Sequence, residues 1–357
     1  MDNNSSMKDE GLLYMSLNQD QTLLIVGTER GFKLYDTIPF KLKYERILDG
    51  GIGLIEMMYK SNIFGLVGGG KNPKYTPNKV ILWDDYQTKI LNEFKLTSSV
   101  KNLKLKKDKI IIVCEQRIYV YSTDKYKLIE NIETFKNEIG TIGINTDQAF
   151  TVMGFPDIKE GFVKVKYYEK SQEVEINAHE TMIGCISVNS DGTLVATASI
   201  KGTIIRVFSV NDGTFLEEFR RGKDKANISC IGFDEYSSWM AVCSDKGHVH
   251  IFSMLNLWNK VERTKIPPWK EELPKNSTSF LQKLPSFLTG GAFEGDKSFA
   301  KVDTIAEPSI CGIRKNDNGY DVIIITSSGK FYQAELNYKK GGHCKILLNE
   351  DLNKKKK

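Results

Sequence analysis

The chain has 357 residues, 40% of them hydrophobic and 27% charged, with a formal net charge of +5 at pH 7. That length suits two average domains or one large repeat architecture, and the composition is that of an ordinary globular protein. The mild positive charge fits an acidic membrane surface or nucleic acid without choosing between them. The longest apolar runs, Ile110-Cys114 and Val322-Thr326, are strand-sized, too short to cross a bilayer.

Residues Met1 to Glu10 are polar and lack the apolar stretch of a signal peptide, so the expectation is a cytoplasmic chain with at most peripheral membrane contact. Six cysteines (Cys114, Cys185, Cys230, Cys243, Cys311, Cys344) are scattered with no C-x-x-C pair, which predicts buried, reduced thiols.

Short apolar, β-branched runs recur from the start. Residues 11–47 turn at Asn18-Gln19-Asp20 and again at Glu29-Arg30-Gly31, and weaker copies of the rhythm occupy 51–96, 98–134 and 139–178. The clearest unit is 181–222. Ile183-Val188 reads as a strand, Asn189-Ser190-Asp191-Gly192 as a turn and Thr193-Ser199 as a second strand. Lys201-Gly202 turns into Thr203-Val210, and Asn211-Asp212-Gly213 into Thr214-Phe219. Four strands in about forty residues is the size of one propeller blade. Residues 227–253 repeat the pattern, and 307–352 give a seventh, weaker unit. The fold expected is all-β, a single seven-bladed β-propeller (WD40-like) over 1–357. A long insertion at 255–297 interrupts its sixth unit, and a basic tail at 353–357 ends the chain.

Three motifs invite chemistry. Gly65-Leu66-Val67-Gly68-Gly69-Gly70-Lys71 has phosphate-loop spacing, but Asn72 stands where Ser or Thr would hold magnesium, and Pro73 and Pro77 follow where a helix must begin. A strand ending in a glycine-rich loop is the better account. His248 and His250 share one face of a probable strand, yet no third metal ligand has a supporting spacing. No nucleophile elbow, H-E-x-x-H or similar catalytic pattern occurs, so neither an enzyme, a metal nor a cofactor is expected. Nucleic-acid binding would require a stronger basic stripe.

The third motif is Arg220-Arg221 after an aromatic strand. Consecutive strand residues point to opposite faces, so the two guanidiniums serve two pockets rather than one. Thr197, Ser199, Thr203 and Arg206 lie around Arg220; Ser244, Lys246, His248 and His250 of the following blade lie around Arg221. Forked cations with hydroxyls suit a multiply phosphorylated ligand. An Arg pair held in salt bridges on a WD-type, protein-binding scaffold is the competing reading.

At these residues the sequence resembles the PROPPIN family, the WIPI-type phosphoinositide-binding β-propellers of autophagy. Phe219-Arg220-Arg221-Gly222 looks like the family's F/L-R-R-G motif. The stretch from Asp191-Gly192-Thr193 through Thr197-Ala198-Ser199 to Gly202-Thr203 and Ile205-Arg206-Val207-Phe208 is similar to its blade five. Ser244-Asp245-Lys246-Gly247 with Val249-His250-Ile251-Phe252 is similar to blade six. Leu66 to Gly70 with Asn72-Pro73-Lys74 and Trp83-Asp84-Asp85 looks like blade two of the shorter WIPI branch.

The resemblance implies binding of phosphatidylinositol 3-phosphate and the 3,5-bisphosphate. It assigns a first site to His179, Thr197, Ser199, Gly202, Thr203, Arg206 and Arg220. A second comprises Arg221, Gly222, Ser244, Lys246, His248 and His250. Two departures stand out: His248 where the family has Thr, and Glu180 where it has a basic residue. The insertion resembles the family's membrane-inserting loop, with Phe280, Leu281, Leu284, Phe287 and Leu288 as its apolar residues. Asn72, Lys74, Asp84 and Asp85 are implied to dock an autophagy lipid-transfer partner. A monomer is expected, peripheral on autophagosome precursors, endosome or vacuole. The plastid membrane joins that list if the Lys-, Asn- and Ile-rich composition reflects an apicomplexan source.

Overall fold

Lys109-Ile110-Ile111-Ile112-Val113-Cys114 is buried along its whole length in the computed structural model of the protein, which describes residues 11–257, 260–261 and 298–354. The reason is position. This strand lies inside a four-stranded antiparallel sheet covered on both faces, so alternation gives way to a continuous apolar run. Outer strands behave differently: Leu128–Glu133 alternates between exposed and half-buried residues, as expected where one face meets water.

Seven such sheets follow one another. The first holds β1 (Leu12–Leu17), β2 (Leu23–Thr28), β3 (Gly31–Thr37) and β4 (Phe40–Ile47). The second holds β5 (Ile52–Met57), β6 (Ile63–Gly68), β7 (Lys79–Asp84) and β8 (Lys89–Lys95), and the third β9 (Val100–Leu105), β10 (Lys109–Cys114), β11 (Arg117–Ser122) and β12 (Leu128–Glu133). The fourth has β13 (Gly143–Ile144), β14 (Val152–Pro156), β15 (Phe162–Tyr167) and β16 (Gln172–Asn177); the fifth has β17 (Ile183–Val188), β18 (Leu194–Ser199), β19 (Ile204–Ser209) and β20 (Phe215–Arg220). In the sixth, β21 (Ile228–Phe233), β22 (Trp239–Ser244) and β23 (His248–Ser253) precede the insertion, and β24 (Ala300–Asp303) follows it. The seventh contains β25 (Ser309–Asn316), β26 (Gly319–Thr326), β27 (Lys330–Leu336) and β29 (Lys345–Asp351). The remaining short strand, β28 (Gly342–His343), pairs in parallel with β24 and makes the sixth sheet five-stranded.

Chemistry repeats with the topology. A buried Asn or Asp closes the turn after the first strand in four blades. Asn18, Asn145, Asn189 and Asp234 accept the backbone N–H of Leu23, Val152, Leu194 and Trp239 at 2.9, 2.8, 2.9 and 2.6 Å. Each side chain replaces a backbone partner that the turn cannot supply. A bulge early in the first strand recurs at Leu12/Tyr14, Ile52/Leu54, Ile183/Cys185 and Ile228/Cys230.

The described residues fall into two compact units. One comprises residues up to Asn131 with 327–331 and 349 onward; the other comprises 132–326 and 332–348. Within the second, adjacent blades share apolar layers: Ala196, Ala198 and Phe219 pack with Met240, Val242 and Phe252, while Val195 and Phe208 pack with Val163 and Ile176.

The glycine-rich run behaves as its strand reading expects. Gly68 ends β6, and a Cβ there would lie 1.7 Å from the Tyr75 carbonyl oxygen, so close backbone crossing explains the glycine. Of the candidate docking residues, Asn72 and Lys74 are exposed. Asp84 and Asp85 are turned inward. Asp84 accepts the Gln87 N–H at 2.9 Å, and Asp85 forms a two-pronged pair with Arg46 at 2.8 and 2.9 Å and accepts Trp83 Nε1 at 3.0 Å. Asp84 thus braces its own blade and Asp85 joins it to the preceding one, while Asn72 and Lys74 face solvent.

Candidate functional site

The apolar layers set which way the paired arginines face. Phe219 lies in the layer shared by blades five and six, so its strand neighbours Glu218 and Arg220 take the blade-four side and Arg221 follows Phe219 to the blade-six side. Back-to-back placement is therefore a consequence of strand pleating at an interblade core.

On the blade-four side, Thr197, Ser199 and Arg206 continue the faces of Val195 and Phe208. His179 Nε2 lies 2.9 Å from Thr197 Oγ1, which joins the connector from blade four to this strand pair. Arg206 donates from Nε to Glu218 at 2.9 Å and from Nη1 to the Ala178 carbonyl at 2.8 Å. It is thus held between its own blade and the connector from blade four. Ser199 Oγ accepts the Lys201 N–H at 3.3 Å, and Gly202, at φ +60°, completes the turn. The Thr203 carbonyl accepts the N–H groups of Arg221 and Gly222 at 2.9 and 3.3 Å. The Arg220 side chain is exposed and makes no hydrogen bond or ion pair among the described residues. Glu180, whose sequence position marked a departure, sits 3.9 Å from Lys201 Nζ.

On the blade-six side, Arg221 is buried. Its Nε donates to the Gly202 carbonyl at 2.9 Å and its Nη2 to the Asp224 carbonyl. Burial lowers the guanidinium from its ordinary range, against the pull of Asp245 and Asp224. Ser244, His248 and His250 share the face of Met240, Val242 and Phe252, which is turned to blade five. The Ser244 hydroxyl is buried with no hydrogen-bond partner among the described residues, a donor with room for an acceptor. Lys246 is exposed, 4.0 Å from Asp245. Gly222 has open space where a Cβ would stand.

Both buried imidazoles are neutral near pH 7. Burial, with the Arg206 cation, lowers His179 to about 4; burial, with Lys301, Arg221 and His248, lowers His250 to about 4.

Four contributors escaped the sequence reading because they follow the insertion. Lys301 pairs opposite His250 and Asp303 opposite His248 across β23 and β24. Ser298 Oγ lies 3.1 Å from His250 Nδ1. Asp303 accepts from His248 Nδ1 and from His343 Nδ1, each at 2.9 Å. His248 is therefore engaged on the outer edge of the blade. The only advance signal was a basic-acidic alternation in Lys301-Val302-Asp303. The apolar residues Phe280, Leu281, Leu284, Phe287 and Leu288 lie outside the described residues.

The arrangement can hold oxyanions. Among the described residues, the Arg220 side chain and the Ser244 hydroxyl are both without a partner; they stand on opposite sides of blade five, each amid further hydroxyl, imidazole or cationic groups. Among the described residues no group of three or more acidic, His or Cys side chains is placed to hold a metal, and no helix is long and apolar enough to cross a membrane.

Seven consecutive blades, six four-stranded and the sixth five-stranded, define a seven-bladed β-propeller, with candidate anion-binding groups on both faces of its fifth blade. The PROPPIN family model matches residues 11–352, and the chain belongs to the PROPPIN family. This is an autophagy-related family of lipid-binding propellers, not an enzyme family. The chain is 33% identical over 339 residues to Autophagy-related protein 18e of Arabidopsis thaliana, covering 94% of this chain and 86% of that protein. Its fold is that of "Kluyveromyces lactis Hsv2 complete loop 6CD", with a TM-score of 0.74 at 22% identity over 96% of this chain and 99% of that one. It is likewise that of "Complex of KlAtg21 with coiled-coil of AgAtg16", with a TM-score of 0.70 at 20% identity over 96% and 99%.

Proposed function

We propose that this protein is a peripheral membrane effector that recognises phosphatidylinositol 3-phosphate and the 3,5-bisphosphate through two pockets, and recruits autophagy or trafficking machinery. The observation that carries the reading is the back-to-back pair: Arg220 toward blade four and Arg221 toward the Ser244 hydroxyl of blade six, with the Arg220 side chain and that hydroxyl lacking partners among the described residues. Each phosphate would complete hydrogen bonds the protein leaves open, and charge-assisted bonds of this kind contribute roughly 1.5–3 kcal/mol each. Two weak pockets on one scaffold act together, with gains of about 10²–10⁴ in avidity.

Thr197, Ser199, Thr203 and Arg220 are the proposed first-pocket contacts, with His179, Gly202 and Arg206 shaping it. Arg221, Ser244, Lys246 and His250 are the proposed second-pocket contacts, with Gly222 and His248 at its border. The insertion at 255–297 is proposed as an additional membrane anchor. A partner, such as a coiled coil or a lipid-transfer protein, would meet the exposed Asn72 and Lys74. The test is flotation of the full chain with vesicles carrying the 3-phosphate lipid. The Arg220→Thr/Arg221→Thr double variant should lose binding, and retained binding sinks the pocket assignment.

A protein-only scaffold is the second reading. It is favoured by Arg221, whose guanidinium already bonds the Gly202 and Asp224 carbonyls. Absence of flotation of the unsubstituted protein with vesicles of any phosphoinositide content would favour it.

A further inference from the structure

Six backbone hydrogen bonds tie the turns and connectors along one edge of blades four to six. Phe135 N–H donates to Asp157 at 2.9 Å, His179 to Gly161 at 3.0 Å and Ile200 to Met182 at 2.9 Å. The series continues with Ala226 to Lys201 at 3.1 Å, Asp245 to Asn227 at 3.3 Å and Thr304 to Gly247 at 2.9 Å, every acceptor being a backbone carbonyl. Along this edge stand four exposed isoleucines: Ile139 at 67%, Ile158 at 59%, and Ile200 and Ile305 at 39% each.

A single exposed isoleucine is ordinary. These four share an edge that also presents the candidate anion-binding groups. Ile200 sits in the turn between Ser199 and Gly202. Ile158 belongs to the turn whose Gly161 carbonyl anchors His179, and Ile305 follows the Thr304 that is bonded to the Gly247 turn beside Lys246 and His248. Exposed Lys201, Lys223 and Lys225 are interspersed with them. Apolar tips among flexible cations match the boundary of an anionic bilayer, where isoleucine enters the acyl region and lysine reaches the headgroups.

We infer that this edge is itself a membrane-contacting surface, in which Ile158 and Ile200 enter the lipid interface beside the first pocket and Ile305 beside the second. The inference rests on the lipid-binding reading above. It adds an apolar contact that does not depend on the insertion at 255–297. A lipid headgroup seated in either pocket would bring its glycerol backbone to the pocket mouth, and the neighbouring isoleucines are the side chains placed to meet the acyl chains there.

The test uses the full chain, phosphatidylcholine vesicles with and without phosphatidylinositol 3-phosphate, and soluble inositol 1,3-bisphosphate. Ile158→Ser/Ile200→Ser should bind the lipid-bearing vesicles about tenfold more weakly, since apolar burial is lost, and bind the soluble headgroup unchanged by calorimetry. In a separate variant, Ile200→Trp should add fluorescence that is quenched by brominated acyl chains, measured as the difference from the unsubstituted protein. Unchanged vesicle affinity together with no added quenching overturns the inference, leaving the edge to a protein partner while headgroup binding keeps the pocket reading intact. Failure of the unsubstituted protein to bind either headgroup or vesicles overturns the pocket reading, and this inference with it.

Discussion

Arg221 donates from Nε to the carbonyl oxygen of Gly202, 2.9 Å away, so the cation on the blade-six side braces the turn that borders the proposed first pocket. The two arginines are consequently unequal. Arg220 has no partner to lose among the described residues, whereas removing Arg221 strands a buried carbonyl and frees the 221–224 connector.

The inequality should appear in stability before it appears in binding. Arg221→Thr is expected to cost about 1–3 kcal/mol, the penalty of an unsatisfied buried acceptor. Arg220→Thr should stay within about 0.5 kcal/mol, as exposed substitutions do. Urea denaturation of both variants measures this. Equal midpoints would mean that the Gly202 contact carries no weight. Headgroup calorimetry should then show Arg220→Thr impairing one pocket and Arg221→Thr impairing both.

The two glycines flanking the Arg pair make a second contrast. Gly202 has φ +60°, and a Cβ there would stand 1.9 Å from the Ala226 carbonyl oxygen, which belongs to backbone and cannot swing aside. Gly202→Ala should therefore destabilise the protein by about 2 kcal/mol or more and weaken headgroup binding, through left-handed strain and displacement of the 221–227 connector. Gly222 has no atom of the described residues within 4 Å of the equivalent position. Gly222→Ala should melt within about 1 °C of the unsubstituted protein, a surface-level effect. If thermal melting ranks the two the other way, the motif glycine serves the backbone and Gly202 does not.

What the sequence made legible, and what it hid, follows from the range of the interactions involved. Strand positions in blade five came out within a residue because Asn189 through Thr193 encodes its turn locally: the Asn189 amide oxygen accepts from Thr193 and Leu194, and the Thr193 hydroxyl donates to Asp191. The opposite facing of Arg220 and Arg221 was equally local, a matter of pleat. Lys301, Asp303 and His343 were not legible. The strand carrying the first two lies beyond an insertion, and β28 joins it through a parallel pairing of Ala300 with Gly342 that no short-range pattern announces. The partners of Arg221 were hidden for another reason. They are backbone carbonyls, whose placement depends on the path of the chain rather than on any residue type. The inward turn of Asp85 belongs to the same class, since it depends on Arg46 from the preceding blade.

The histidines at the two pockets yield the last expectation. In the folded protein His179 and His250 each titrate near 4, well under the ordinary value of 6.5, because burial and neighbouring cations oppose the charged form. The unfolded chain therefore binds protons more readily through this window. Stability from these groups is complete above about pH 6.5 and declines as pH falls toward 4, by on the order of 1 kcal/mol per pH unit for each histidine. Urea midpoints between pH 7 and pH 4.5 measure the slope, and His250→Gln should reduce it; an identical slope in that variant would remove His250 from the account. A phosphate in the second pocket reverses the local field, since an anion beside His250 favours the imidazolium. Headgroup binding at pH 5 should thus be accompanied by proton uptake, read from calorimetry in two buffers of different ionisation enthalpy, and His250→Gln should take up fewer protons. Binding with no proton uptake at that pH would place the anion away from His250 and move the second pocket elsewhere on blade six.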